Sequence, residues 1–288
     1  MKKKIDNKKK IVDQLVEMIE KNPKAWDQPW RNMMRLPTRS TGETYRGINL
    51  FLLGITAQCE GYKSQHWFTY LQANELGAQV RKGEKSTTVC YYTQFIPKSE
   101  KSKPKAEQKA ARMLKTFNVF NGDQIDNLPE RFSPKKYPNI KHEDSKIRQY
   151  VETAGASVFD GGDVACYVPS LDIINMPKSE AFKDTESWSA TLLHETVHWT
   201  GHKSRLDRSM SCDSTSAEYG LEELVAELGS VLLCAELGVA REPRDEAASY
   251  LKAWLRRMKE DPQYLFTAFS GASKAVTFLE NAQSSVSV

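Results

Sequence analysis

The chain has no uninterrupted run of 18 or more apolar residues, so no segment is built to cross a bilayer as a helix. Its basic start, MKKKIDNKKKIVDQ, is not followed by an apolar stretch or a small-residue cleavage site. That pattern speaks against a secretory leader, and the expectation is a cytoplasmic protein with no membrane partner. Cysteine is sparse: Cys59, Cys90, Cys166, Cys212 and Cys234 are odd in number, scattered, and form no C-x-x-C pair. This excludes a zinc ribbon and a disulfide framework and predicts reduced, structural thiols. No helix-turn-helix, zinc finger or RNP-like motif can be read, and no internal repeat. Histidine is scarce too. Of five in 288 residues, three fall in one stretch, ATLLHETVHWTGHKSRLD, residues 190–207.

Charge is present in quantity and unevenly spread. Residues 1–144 carry 27 Lys and Arg against 16 Asp and Glu, a net of +11, whereas residues 145–288 carry 14 against 21, a net of −7. Two regions with different partners are expected, the first suited to a polyanion and the second rich in carboxylates. With 288 residues there is room for two modest domains.

Organisation along the chain follows from periodicity and breakers. Ile11, Leu15, Met18 and Ile19 repeat at helical spacing over 8–21. The Trp-, Pro- and Arg-rich stretch 25–49 reads as irregular chain. Helices are expected ending before Gly61 and at Gly77, then a strand over 86–96. The lysine-rich run 98–112 has no apolar stripe and reads as a solvated loop inserted in a hairpin whose second strand is MLKTFNVFN. The Pro-rich stretch LPERFSPKKYPNI looks like the linker, which divides the chain into domains 1–135 and 136–288. The second domain should open with a helix over 144–154. Three short strands follow (ASVFD, VACYVP and IINMP), then four helices. The third of these is expected to begin near Pro243 and end before Pro262. The fold class is α+β in both domains, the second with a small antiparallel sheet beside its active-site helices.

The histidine-rich stretch reads as a metal motif. A helix from Asp184 or Thr185 to Gly201 puts His194 and His198 one turn apart on one face. Two neutral imidazoles so placed can share a Zn²⁺ ion, or another divalent metal such as Mn²⁺. Glu195 falls on the adjacent side, where it can take a proton from metal-bound water. A third ligand is needed. The next predicted helix, opened by a Thr215–Glu218 capping box and stopped at Gly238, carries Glu223 and Glu227 at i, i+4. One can ligate the metal; the other can accept the free ring N–H of a ligand histidine. The layout resembles the gluzincin pattern, which implies Glu223 as ligand and Glu227 in the supporting acidic position, with Glu rather than Asp there. Glu222 is the fallback ligand. A metzincin layout fails, because Ser204 stands where its third histidine belongs and His202 comes two residues early. His202 and Tyr219 remain candidates for contacting substrate. His66 and His142 read as ordinary surface residues.

In the first half, rings and cations interleave. Trp30, Arg31, Arg35, Tyr45, Arg46, Trp67, Arg81, Lys82 and Lys85 are the candidate contacts to single-stranded DNA, since exposed rings stack on unpaired bases and Arg and Lys neutralise phosphates. The alternative is that most of the rings are core and the cations a solvated face.

Longer stretches then become recognisable. PWR, YRGIN, HWFTYLQANELGAQVRKGEK and VFNGDQI resemble the N-terminal domain of ArdC-type antirestriction proteins. GGDVACYVPSLDIINMP, LLHETVHWTGHKSRLDR and EYGLEELVAELGSVLL resemble that family's C-terminal zincin-like domain. The resemblance implies a single-stranded-DNA-binding domain joined to a SprT-like metallopeptidase domain, encoded on a conjugative plasmid or related element. It implies protection of incoming DNA from restriction, with a protein substrate or a restriction enzyme as a further partner. By motif match His194, His198 and Glu223 would be ligands and Glu195 the base. Two functional readings follow: a DNA-tethered protease, and a DNA-binding, occluding module whose metal is structural.

Overall fold

The structure, a computed structural model, describes residues 6–22, 36–133 apart from 98, 101, 103, 105, 106 and 108, 144–239 apart from 212 and 214, and 245–284. By internal contacts the chain divides into two compact units, Met1–Glu20 with Pro37–Pro134, and Lys21–Leu36 with Lys135–Val288. Both mix helices and strands. No helix of the described residues is long and apolar enough to cross a membrane.

In the first unit, α1 (Asn7–Lys21) buries Ile11, Val12, Leu15, Val16 and Ile19. Its stripe is wider than the period-marked positions, because Val12 and Val16 join it while Met18 stays half-buried. After β1 (Thr38–Arg39) come α2 (Gly47–Glu60), β2 (His66–Phe68), α3 (Tyr70–Glu75), β3 (Gln79–Val80), β4 (Thr87–Phe95), β5 (Ala111–Asn121) and β6 (Ile125–Asp126). Gly61, at φ 69°, stops α2 in the left-handed conformation that favours glycine. The four-stranded sheet runs β1-β2-β5-β4, with β3 and β6 as a separate ladder. The expected hairpin is β4–β5, paired from Thr87↔Val119 to Phe95↔Ala111, so its second strand starts inside the run read as loop.

Strand β4 lies at the sheet edge, and part of that edge is covered by side-chain amides. Gln14 of α1 accepts from the Thr88 N–H at 3.0 Å and donates to its carbonyl at 3.3 Å. Asn49 of α2 does the same at Cys90, at 2.9 and 2.6 Å. The two amides satisfy backbone groups that would otherwise offer a template for another strand.

The second unit holds α4 (Asp144–Thr153), β7 (Ser157–Asp160), β8 (Cys166–Val168), β9 (Ile173–Met176), α5 (Thr185–Thr200), α6 (Ala217–Leu237), α7 (Asp245–Glu260) and α8 (Gln263–Ser284). The sheet order is β7-β9-β8. It is mixed rather than antiparallel as expected: β9 lies between its neighbours, antiparallel to β8 and parallel to β7. Pro243, expected in the first turn of α7, lies outside the described residues.

Helix α6 is buried nearly all round, and two glycine contacts let neighbours approach it. A Cβ on Gly229 would lie 2.8 Å from a methyl of Val197 on α5. A Cβ on Gly271 of α8 would lie 2.9 Å from a methyl of Val225 on α6. Close approach of α5 and α6 is what brings their polar side chains together.

Candidate metal centre

Helix α5 starts where the sequence places it. The Asp184 carboxylate accepts from the Ser187 N–H at 2.7 Å, satisfying a first-turn donor. Helix α6 is capped one residue later than expected. Ser216 Oγ accepts from the Tyr219 N–H at 3.0 Å, while the Thr215 hydroxyl is committed to Asp213 at 2.7 Å. Contacts between the helices run in opposite order, from Ala190–Ser230 through His194–Glu227 to His198–Glu223, so the helices cross antiparallel.

At the crossing three donors converge. His194 Nε2 and His198 Nε2 are 3.2 Å apart. Glu223 places one oxygen 3.3 Å from His198 Nε2 and the other 3.6 Å from His194 Nε2. A tetrahedral ion with bonds of about 2.0–2.1 Å has donors about 3.3 Å apart, close to the separation of the two imidazole nitrogens and to the reach of the Glu223 carboxylate toward each. Among the described residues, these three form a group that could hold a metal ion. Burial alone would lower the His198 imidazole, but hydrogen bonds to Glu222 and Glu223 and the charge of Glu195 outweigh it and hold it well above the usual histidine range. Burial would raise the Glu223 carboxyl, yet the two histidines hold it well below its usual range. Carboxylates gathered on two imidazoles in this way call for a cation, and a divalent metal fits.

The supporting carboxylates are distributed differently from expectation. Glu222, the fallback ligand, accepts from His198 Nδ1 at 3.1 Å, which turns His198 Nε2 toward His194 and Glu223, where a neutral ring would offer a metal its lone pair. Glu227 stands 3.7 Å from His194 Nδ1, beyond hydrogen-bond distance, and that buried nitrogen has no hydrogen-bond partner. Glu222 is gripped in turn by Arg208, whose Nε and Nη2 donate to its two oxygens at 2.9 and 2.8 Å. The same guanidinium donates to the Val197 carbonyl at the end of α5, at 2.6 Å. Gly201 makes room for it. Its φ of −76° is ordinary, but a Cβ there would meet Arg208 Nη2 at 2.8 Å.

Glu195, 5% exposed, accepts from the Tyr167 N–H of β8 at 2.9 Å. The Tyr167 ring is anchored by Asp172, with its hydroxyl donating at 2.8 Å. Arg205 binds Asp172, donates to the Trp199 carbonyl at 2.7 Å and lies over the Trp199 ring. Arg205 and Arg208, both in the loop after α5, thus brace the site from the strand side and the helix side.

A cavity of about 420 Å³ opens on the donors, lined by His194, Glu195, His198 and Glu223, by Cys166 and Tyr167 of β8, and by Tyr219 and Tyr250. Burial and the Glu223 charge push the Tyr219 hydroxyl far above its usual range, so it stays a protonated donor at neutral pH. His202 does not line this cavity. Its Nδ1 faces Ser204 Oγ at 2.8 Å in the turn beyond α5. The sequence marks Glu222 only as a fallback ligand and does not mark Tyr250, Arg205 or Arg208 as working parts of the site. Tyr250 carries no local signal, since on α7 it reads as one more apolar-face position.

Residues 5–120 match the model of the N-terminal domain of anti-restriction factor ArdC, and residues 145–271 that of a zincin-like metallopeptidase. A crystal structure of the antirestriction ArdC protein from R388 plasmid, metal-free, aligns with a TM-score of 0.80 at 38% identity, covering 98% of this chain and 99% of that one. The chain belongs to the ArdC family. The Mn(II)-bound form of the R388 ArdC aligns at 40% identity and a TM-score of 0.78, over 96% of this chain and 98% of that one. An uncharacterized protein of Sinorhizobium fredii, y4eC, is 31% identical over 96% of this chain and 92% of its own length. A DNA primase TraC of Escherichia coli is 34% identical over 92% of this chain, which spans only 19% of that primase.

Of the candidate DNA contacts in this ArdC-family chain, Trp30, Arg31 and Arg35 lie outside the described residues, as does His142. Tyr45 and Trp67, 4% and 1% exposed, belong to the core with Leu53, Val89 and Val119. Their rings have no face to offer a base, and the reading of them as contacts is corrected. Arg81 is exposed but tied to Glu84 at 2.9 Å and Asp126 at 3.4 Å. Arg46, Lys82 and Lys85 are exposed. His66, expected at the surface, is 8% exposed, bonded to Thr38 and packed on Phe132.

Proposed function

We propose that this protein binds single-stranded DNA through its first unit and presents, in its second, a divalent-metal peptidase site, loaded with zinc or manganese, that acts on proteins met on DNA. The role is antirestriction during transfer of a mobile element. One observation carries the peptidase reading: three metal donors stand beside a buried carboxylate at the wall of an open cavity.

His194, His198 and Glu223 would hold the ion. When bound, it supplies positive charge that polarises a peptide carbonyl and makes a water acidic. Glu195, with one oxygen fixed by the Tyr167 N–H, receives a proton and returns it to the leaving amine. The Tyr219 hydroxyl offers a hydrogen bond to oxygen as negative charge develops there. Strand β8 is an edge strand of its sheet and lines the cavity, so an extended peptide can lie along it beside the Tyr167 N–H that Glu195 holds. Glu222 and Arg208 keep the His198 ring in register.

Glu195→Gln is the discriminating variant. It should bind metal as the wild type does and lose proteolysis of a DNA-bound protein and protection from restriction, whereas Glu223→Ala should lose metal. Loss of metal to the same degree in Glu195→Gln would remove Glu195 from the role of base. A second reading is favoured by the burial of both ligand helices: the ion would also staple the core, and the protein would protect DNA by coating it. Protection that survives Glu195→Gln selects that reading.

A further inference from the structure

The core of the first unit ends part-way along the β4–β5 hairpin. On one face of the ribbon Val89 is fully buried and Phe117 joins the same cluster, beneath Leu53 and Ala57 of α2. Beyond that point, among the described residues, no helix residue of the cluster follows the ribbon. Tyr91, Phe95 and Met113 on the same face are 46%, 43% and 41% exposed. Register places them together: Tyr91 is opposite Lys115, Thr93 opposite Met113, and Phe95 opposite Ala111. Alternation along a strand therefore sets two rings and a thioether in one row, with Lys115 beside the inner ring. The inner ring is steadied edge-on by Phe117, with centroids 5.7 Å apart.

Charge on the ribbon has one sign. Neither β4 nor β5 contains an acidic residue, while β5 carries Arg112 and Lys115, and the connecting sequence 96–110 holds five lysines against two glutamates. An apolar row this exposed, on a sheet edge, is an aggregation hazard unless it has a use. Aromatic faces set among cations and free of carboxylates suit a ligand with stackable rings on a polyanionic backbone. A protein partner held by apolar contact alone does not account for the one-sided charge.

We infer that this face of the hairpin, with Tyr91, Phe95, Met113 and Lys115, is the stacking surface for single-stranded DNA in the first unit, in place of the buried Tyr45 and Trp67. This rests on the DNA-binding reading proposed above and names the surface that performs it. Tyr91 and Phe95 stack on unpaired bases, and Lys115, on the same face, meets a phosphate.

The test is fluorescence anisotropy of the full chain with a labelled mixed-sequence single-stranded oligonucleotide and with its duplex, across a salt series. Tyr91→Ala and Phe95→Ala should each weaken single-strand binding about tenfold, as loss of a stacked base does. Lys115→Gln should lower the steepness of the salt dependence by about one phosphate contact. Thermal unfolding checks that each variant folds as the wild type does. Controls are Tyr92→Ala on the opposite face and Leu71→Ala, 71% exposed on α3. Wild-type binding that survives Tyr91→Ala and Phe95→Ala overturns this surface and leaves the DNA-binding reading standing. Equal loss in Tyr92→Ala overturns the assignment to this face. Duplex binding as tight as single-strand binding overturns stacking. A change in oligomeric state without a change in DNA affinity marks the face as a contact between copies and overturns the inference. No binding by the wild type overturns the DNA-binding reading itself.

Discussion

The spacing of the metal donors depends on how near α5 and α6 approach, and Gly229→Ala tests that dependence. The added Cβ would sit 2.8 and 2.9 Å from the two methyls of Val197. Carbon pairs rest at about 3.5–4.0 Å, so the overlap is about 0.7 Å or more. Val197 lies within α5 between His194 and His198 and is fully buried. The strain should cost about 1–3 kcal/mol, the range for overpacked cores. If it is relieved by parting the helices, the Glu223-to-histidine separations of 3.3 and 3.6 Å open toward about 4 Å, past the edge of a tetrahedral site. Supporting geometry at a site has to hold within about 0.5 Å, so metal affinity should fall by about tenfold or more. The assay is competition with a chromophoric chelator, beside urea unfolding with and without EDTA. Val197→Ala in the Gly229→Ala background removes both clashing methyls and should recover affinity. Unchanged affinity in Gly229→Ala, or no recovery in the double variant, refutes the claim that this contact sets the donor spacing.

Glu222→Gln and Arg208→Lys should each lower metal affinity by about 10–100-fold, with the secondary structure retained by circular dichroism, because each loosens the hold on His198 Nδ1; retained affinity would make the pair merely structural. Asn49→Ala strips a hydrogen-bond partner from both the Cys90 N–H and its carbonyl, and should cost about 1–3 kcal/mol in urea unfolding and promote association through β4. Stability unchanged in that variant would mean water replaces the amide. The hydrogen bonds from Arg205 hold the Asp172 carboxyl below its usual range. Its stabilisation is therefore present above the unfolded carboxylate pKa of about 3.9 and is lost as pH falls through the lower folded value. Asp172→Asn keeps a side chain that tolerates the positive φ of 54° and should destabilise by up to about 1 kcal/mol at pH 7, a screened value suited to a carboxylate 40% exposed. The gap between the two proteins should close as pH falls below about 4; a gap independent of pH would place the loss elsewhere.

What could be read along the chain was what a single helix or turn contains. His194 and His198 face one way because 3.6 residues make a turn, whatever packs against them. Asp184 caps, Gly61 and Gly238 stop helices at positive φ, and the β4–β5 alternation is set by local rules. Glu223 was reachable too, since it shares a helical face with Glu227 and the resemblance to known patterns chose between them.

The rest depended on contacts between elements distant in sequence. Periodicity puts Glu222, Glu223 and Glu227 within two turns of α6 but does not say which imidazole nitrogen each will meet. That follows from the rotation and distance at which α6 crosses α5, fixed by Gly229 against Val197 and by Arg208 folding back over Gly201. Tyr45, Trp67, Tyr91 and Phe95 are alike as letters, yet the first two are core and the last two exposed. The difference lies in where α2 stops covering the sheet. Burial is a property of the neighbours a ring finds, and those neighbours arrive from other parts of the chain.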